Sequence, residues 1–72
     1  MNGYPGYSLR DIAVEILQDI GRPATAAEVA NRMEDYKYAP SHRQVHDMFR
    51  VDDRVKRCRV RGKIMWRMAG DE

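Results

Sequence analysis

The chain has 72 residues, a single cysteine, and 13 basic against 11 acidic side chains for a net charge of +2. This length suits one domain with a small shared core, and a lone thiol excludes an internal disulfide framework and points to a reducing, intracellular setting. No apolar run nears the roughly 20 residues that cross a bilayer, and the opening MNGYPGY lacks the basic and apolar regions of a signal peptide, so a soluble chain with no membrane association is expected.

The small net charge hides an uneven distribution. Residues 1–53 carry six basic and nine acidic side chains, residues 54–67 carry seven basic ones and no acid, and Asp71 and Glu72 close the chain. A weakly acidic body thus bears a strongly basic segment. Such a concentration of one sign attracts an extended anion, of which nucleic acid is the commonest. One or two cations would suffice to guard a strand edge against aggregation, and this segment has more.

In chain order, residues 1–7, with two glycines and a proline, read as a flexible, irregular N-terminal arm. Ser8 begins the first helix, with Asp11 three residues on as a variant capping box. Leu9, Ile12, Ala13, Ile16, Leu17 and Ile20 form one apolar stripe for the core, leaving Arg10, Glu15, Gln18 and Asp19 outside it. Gly21 ends this helix, with Pro23 beyond. Thr25 and Glu28 make a second capping box, and a helix from about Ala26 to Glu34 or Asp35 presents Ala26, Val29, Ala30 and Met33. Pro40 biases Ala39 away from helix. Ser41 and Gln44 supply a third box, opening a helix from His42 to Arg50 with Val45, Met48 and Phe49 inward and His42, Arg43, His46, Asp47 and Arg50 outward.

Val51, Asp52 and Asp53 lead into RVKRCRVRGKIMWR, whose apolar residues alternate with charges as in a β-hairpin closed near Gly62. Alternation puts Arg57, Arg59 and Arg61 on one side and Cys58 and Val60 on the other, with Ile64, Trp66 and Met68 alternating with Met65 and Arg67. The expectation is one cationic face and one core face, with Trp66 sealing the hairpin to the helices. The domain would span 8–69, followed by a tail, 70–72.

Three capped helices followed by a hairpin resemble a winged helix-turn-helix domain from about Ser8 to Ala69, and most closely the HARE-type winged helices. Ser8-Leu9-Arg10-Asp11-Ile12-Ala13-Val14-Glu15-Ile16-Leu17 is similar to that family's opening helix. Gly21-Arg22-Pro23-Ala24-Thr25-Ala26-Ala27-Glu28-Val29-Ala30 is similar to its helix junction, and Asp52-Asp53-Arg54-Val55 with Lys63-Ile64-Met65-Trp66-Arg67-Met68-Ala69 to its wing. Two departures stand out: Tyr36 to Ser41 is longer than a tight helix-turn-helix connection, and Val55 replaces a usual aromatic residue. The resemblance implies an α+β winged helix, a three-helix bundle followed by a two-stranded wing, with the third helix as recognition helix.

The function expected on this basis is double-stranded DNA binding by a small transcriptional regulator or accessory protein, a monomer or a weak DNA-assisted homodimer. Ser41, His42, Arg43, Gln44, His46, Asp47 and Arg50 would face the major groove, and Arg54, Lys56, Arg57, Arg59, Arg61, Lys63 and Arg67 the phosphates or minor groove. The alternative is a protein-interaction module that docks the basic wing on an acidic partner, since this fold does not fix function. Single-strand binding through Tyr36 and Tyr38 ranks last, because stacking platforms need several exposed aromatics beside a basic groove. His42 and His46 have the spacing of two helical metal ligands but lack a glutamate partner, so no metal is expected. Cys58, flanked by Arg57 and Arg59, would be reactive beside their cationic heads, but alternation sends it to the core as an inert thiol. No catalytic triad, paired carboxylates or phosphate loop is present, so neither an enzyme nor a cofactor is expected.

Overall fold

The computed structural model describes residues 8–70. Its elements are α1 (Leu9–Ile20), α2 (Ala26–Arg32), α3 (His42–Arg50), β1 (Val55–Val60) and β2 (Lys63–Met68). Three helices followed by an antiparallel hairpin make an α+β domain with the winged-helix layout. The expected arm over 1–7 and the tail residues Asp71 and Glu72 lie outside the described residues.

Local chemistry sets the helix boundaries. At the start of α1 the Ser8 N–H donates to Asp11 Oδ2 at 2.7 Å. Gly21 ends the helix at φ +76°, a left-handed position that glycine takes without a Cβ penalty, and its N–H donates to the Leu17 carbonyl at 3.3 Å. At α3 the box is reciprocal: Ser41 Oγ accepts from the Gln44 N–H at 3.2 Å and Gln44 Oε1 from the Ser41 N–H at 2.8 Å. The box at α2 is only half made. Thr25 Oγ1 accepts from the Glu28 N–H at 3.1 Å, but the Glu28 carboxylate turns to the Arg22 guanidinium at 2.7 and 3.2 Å. A fork-on-carboxylate ion pair outcompetes a single bond to a backbone amide.

α2 also stops before the expected Glu34 or Asp35. From Met33 onward the bonds reach back three residues: Met33 N–H to the Ala30 carbonyl at 2.9 Å, and Tyr36 N–H to the Met33 carbonyl at 3.0 Å. These tight turns sink Met33 fully into the core and end the α-helix. In α1 the buried side chains are Ala13, Val14 and Leu17, while Leu9, Ile12, Ile16 and Ile20 are half-buried. The core face is therefore rotated from the expected stripe to include Val14, because α1 packs against β2 as well as against the other two helices.

The hairpin register pairs Val55 with Met68, Arg57 with Trp66, Cys58 with Met65 and Arg59 with Ile64. Arg61 (φ +52°) and Gly62 (φ +80°) form the two-residue loop between Val60 and Lys63, a type I′ turn whose twist matches that of the strands. The opposite edge of β2 carries a contact that the sequence reading left as plain connection. Ala24, in the α1–α2 link, bridges to Trp66 through two bonds, Ala24 N–H to the Trp66 carbonyl at 3.0 Å and Trp66 N–H to the Ala24 carbonyl at 2.8 Å. A third strand position thus joins the hairpin to the helices.

Trp66 is 3% exposed, as expected of the sealing residue, and its ring lies 5.7 Å from that of Phe49. Trp66→Ala should destabilise the fold by about 3–5 kcal/mol, most of what a domain of this size has. Urea unfolding followed by far-UV circular dichroism checks this, and a midpoint unchanged from wild type would contradict the central placement of the indole.

Candidate nucleic-acid interface

Residues directly opposite each other in an antiparallel pair point to the same face of the sheet. Trp66 therefore shares its face with Arg57 across the ladder and with Val55, Arg59, Ile64 and Met68. Because Trp66 packs on α3, this is the helix-side face. The other face holds Lys56, Cys58, Val60, Lys63, Met65 and Arg67. The expected division into one cationic and one core face is thus corrected: cations stand on both faces, and Arg57, opposite the buried Trp66, and Arg59, two residues nearer the turn, lie on the core's side of the hairpin. Strand β1 keeps Val55 in the core near its start and carries Arg59 toward the turn, so one face changes character along its length. Cys58, expected in the core, is half-buried on the far face and outside the buried cluster.

On α3, Ser41, His42, Arg43, Gln44, Asp47 and Arg50 are exposed. Arg43 Nε stands 3.8 Å from Asp47 Oδ2 one turn on, an exposed pair too weak to immobilise the arginine. His46, expected to point outward with them, is half-buried, its ring edge-on to Trp66 with centroids 5.4 Å apart and planes at 74°. A groove of about 580 Å³ runs between the end of α3 and β1, lined by Phe49, Arg50, Asp52, Asp53, Val55, Lys56, Arg57 and Trp66. The exposed face of α3 and the helix-side cations of the wing thus border one concave surface. Arg61 stands at the wing tip.

Arg54 is set apart from the other wing cations. Its Nε and Nη2 donate to the two Asp52 oxygens at 2.9 and 2.7 Å, and its Nη1 lies 2.9 Å from Asp11 Oδ1. Arg10 Nε adds a contact to Asp52 Oδ2 at 3.3 Å. The Asp52 side chain is only 4% exposed. Four side chains therefore clamp the start of α1 to the connection between α3 and the wing. Hydrogen bonds from Arg54 hold the Asp52 carboxyl below its ordinary range, against the opposing effect of burial. Asp11 is lowered first by the Ser8 backbone N–H and then by Arg54, whose own pKa is raised by its two carboxylates. Sequence reasoning missed Asp11 and Arg10 as partners because nothing local marks a contact across some forty residues of chain.

Among the aromatics outside the core, Tyr38 is 72% exposed, with Lys37 Nζ 5.5 Å from its ring centroid, and Tyr36 is also exposed. Among the described residues no three His, Cys, Asp or Glu side chains converge to hold a metal, and no helix is long and apolar enough to cross a membrane. No protein-family model, curated protein or solved structure matches the chain.

The clamp carries a pH dependence of known sign. Carboxyls held below the ordinary value of 3.8 contribute stability that is complete above that value and is lost as pH falls through their lower folded values. Arg54→Met should destabilise by about 1–3 kcal/mol at neutral pH, less than for a fully buried pair because Arg54 is half exposed. Below pH 3.8 the gap between variant and wild type should narrow. Urea denaturation at neutral and acid pH measures both, and a gap independent of pH would remove the carboxylates from the explanation.

Proposed function

We propose that the protein binds double-stranded DNA as a winged helix related to the HARE-type domains, acting as a small regulator or accessory protein, in monomeric form or as a weak DNA-assisted homodimer. In this reading α3 enters the major groove with Arg43, Gln44 and Asp47 nearest the bases, while Arg50, Arg57, Arg59 and Arg61 hold phosphates. The observation that carries it is the register. Arg57 and Arg59 project from the sheet face that packs on α3, so helix and wing cations border one surface, and neither has an acidic partner among the described residues.

The wing tip adds support. A non-glycine residue in the left-handed region costs roughly 1–2 kcal/mol, and Asn would fit the first position of a type I′ turn with less strain. Arg61 occupies that position nonetheless. A strained residue of this kind is a reason to look for function, and a cation at the outermost point of the wing suits contact with phosphate or the minor groove. Arg54 belongs to the clamp rather than to this surface, and His46 orients the helix against the wing.

If about four to six phosphates are neutralised, log K should fall against log salt with a slope of about −4 to −5. Fluorescence anisotropy of a labelled duplex over a range of salt concentrations tests this, with a single strand of equal length beside it. No duplex binding even at low salt overturns the proposal.

Two variants separate the roles. Arg59→Ala should weaken every duplex alike and flatten the slope by about 1. Arg43→Ala should penalise preferred sequences more than random ones, by about 1–3 kcal/mol if it makes a bidentate contact to guanine. Equal losses on all sequences would withdraw Arg43 from readout and leave phosphate binding intact.

A further inference from the structure

We propose that the outer edge of β1 takes up an extended acidic peptide as an antiparallel third strand of the sheet, with the pattern acid-x-acid-x-apolar. The inference does not rest on the DNA reading, because it starts from the backbone of the hairpin. Trp66 exchanges both its backbone bonds with Ala24, on the side of β2 away from β1. Its cross-strand partner Arg57 therefore turns its own N–H and C=O away from the ladder, and alternation gives Arg59 the same orientation. No described residue bonds to these outward groups. One edge of the hairpin is thus bridged by Ala24, and the other is open to growth of the sheet.

The chemistry of this edge selects the occupant. Phosphates only accept hydrogen bonds, so they leave the outward carbonyls of Arg57 and Arg59 unmet, whereas a peptide backbone offers a donor and an acceptor at every second residue. Residues of the added strand directly opposite Val55, Arg57 and Arg59 share the helix-side face with them. Arg57 and Arg59 are exposed and have no acidic partner among the described residues, so acids belong opposite both. Opposite Val55 the added side chain meets the groove of about 580 Å³ that Phe49 and Trp66 also line, where an apolar residue fits. The exposed Asp53 on that groove disfavours a third acid there. A second copy centred on Arg57 would set that arginine opposite itself, a repulsive pairing. A strand bound here occupies the two arginines assigned to phosphates, so peptide and duplex would compete for the wing.

Amide hydrogen exchange of the ¹⁵N-labelled full chain, read by NMR, tests this directly at the Arg57 and Arg59 N–H groups. The probes are a terminally blocked peptide, Glu-Thr-Glu-Thr-Ile flanked by threonines, the same peptide N-methylated at its glutamates and isoleucine, and a DNA duplex. The unmethylated peptide should slow exchange at both amides about tenfold at saturation, the free-energy equivalent of one decade in an equilibrium constant. Arg57→Glu, which turns an attractive cross-strand pair into a repulsive one, should weaken this peptide about tenfold, and Arg32→Glu on α2 should leave its binding unchanged. Unaltered exchange at Arg57 and Arg59 with the unmethylated peptide would overturn the proposal without reference to any variant. So would equal protection by the N-methylated peptide, which would reduce the contact to charge without strand pairing, or by the duplex, which would assign the edge to nucleic acid. Protection that rises with protein concentration alone would assign it to a second copy and overturn the proposal as well. Failure of the duplex to bind anywhere would instead defeat the DNA reading and leave this one standing.

Discussion

Trp66 is the point at which the hairpin, the helices and the link between the first two helices meet. Its backbone exchanges two hydrogen bonds with Ala24, and its ring is enclosed by Phe49 and His46 of α3. Because its N–H and C=O both turn toward Ala24, the Arg57–Trp66 pair across the ladder is of the non-hydrogen-bonded kind, in which side chains approach most closely. The indole N–H is buried without a hydrogen-bond partner. That omission costs about 1–3 kcal/mol, whereas burying an indole contributes about 4–6 kcal/mol at about 25 cal/mol per Å². Apolar burial wins, and the residue is retained as the seal of a small core.

The position of Trp66 determines what the wing can present. Once its face is committed to α3, every second residue of both strands faces the helices and the rest face away. At the root of the hairpin that face is apolar, with Val55 and Met68; midway along, Trp66 stands opposite Arg57, and nearest the turn come Arg59 and Ile64. The result is a strand pair that belongs to the core at one end and to a charged surface at the other, with cations left over for the reverse side.

The clamp of Arg54 with Asp52, Asp11 and Arg10 acts on the other end of the hairpin. It joins the first turn of α1 to the connection leaving α3, and so sets where the wing departs from the bundle. The acidic side chains of the body are therefore not simply a counterweight to the basic segment. Asp52 and Asp11 hold one of its arginines in place, whereas Arg57 and Arg59, nearer the turn, have no acidic partner among the described residues. Stability at the root of the wing and charge toward its tip are separate uses of one basic run.

How much of this was legible in the sequence follows from the range of the forces involved. Ser8, Thr25, Ser41 and Gly21 mark the helix ends because capping and left-handed termination act within a few residues, and the helices start where that local chemistry places them, whereas the early end of α2 follows from the burial of Met33. The basic segment and the burial of Trp66 were readable for the same reason. The faces of the hairpin were not. Alternation states which residues of one strand share a side, but only the pairing register, fixed by the Arg61–Gly62 turn and by the packing of Trp66, decides which side of β1 goes with which side of β2. The Ala24 bridge, the choice of Asp11 as partner for Arg54 and the turn of His46 toward Trp66 likewise join residues far apart in the chain, and tertiary packing alone brings them together.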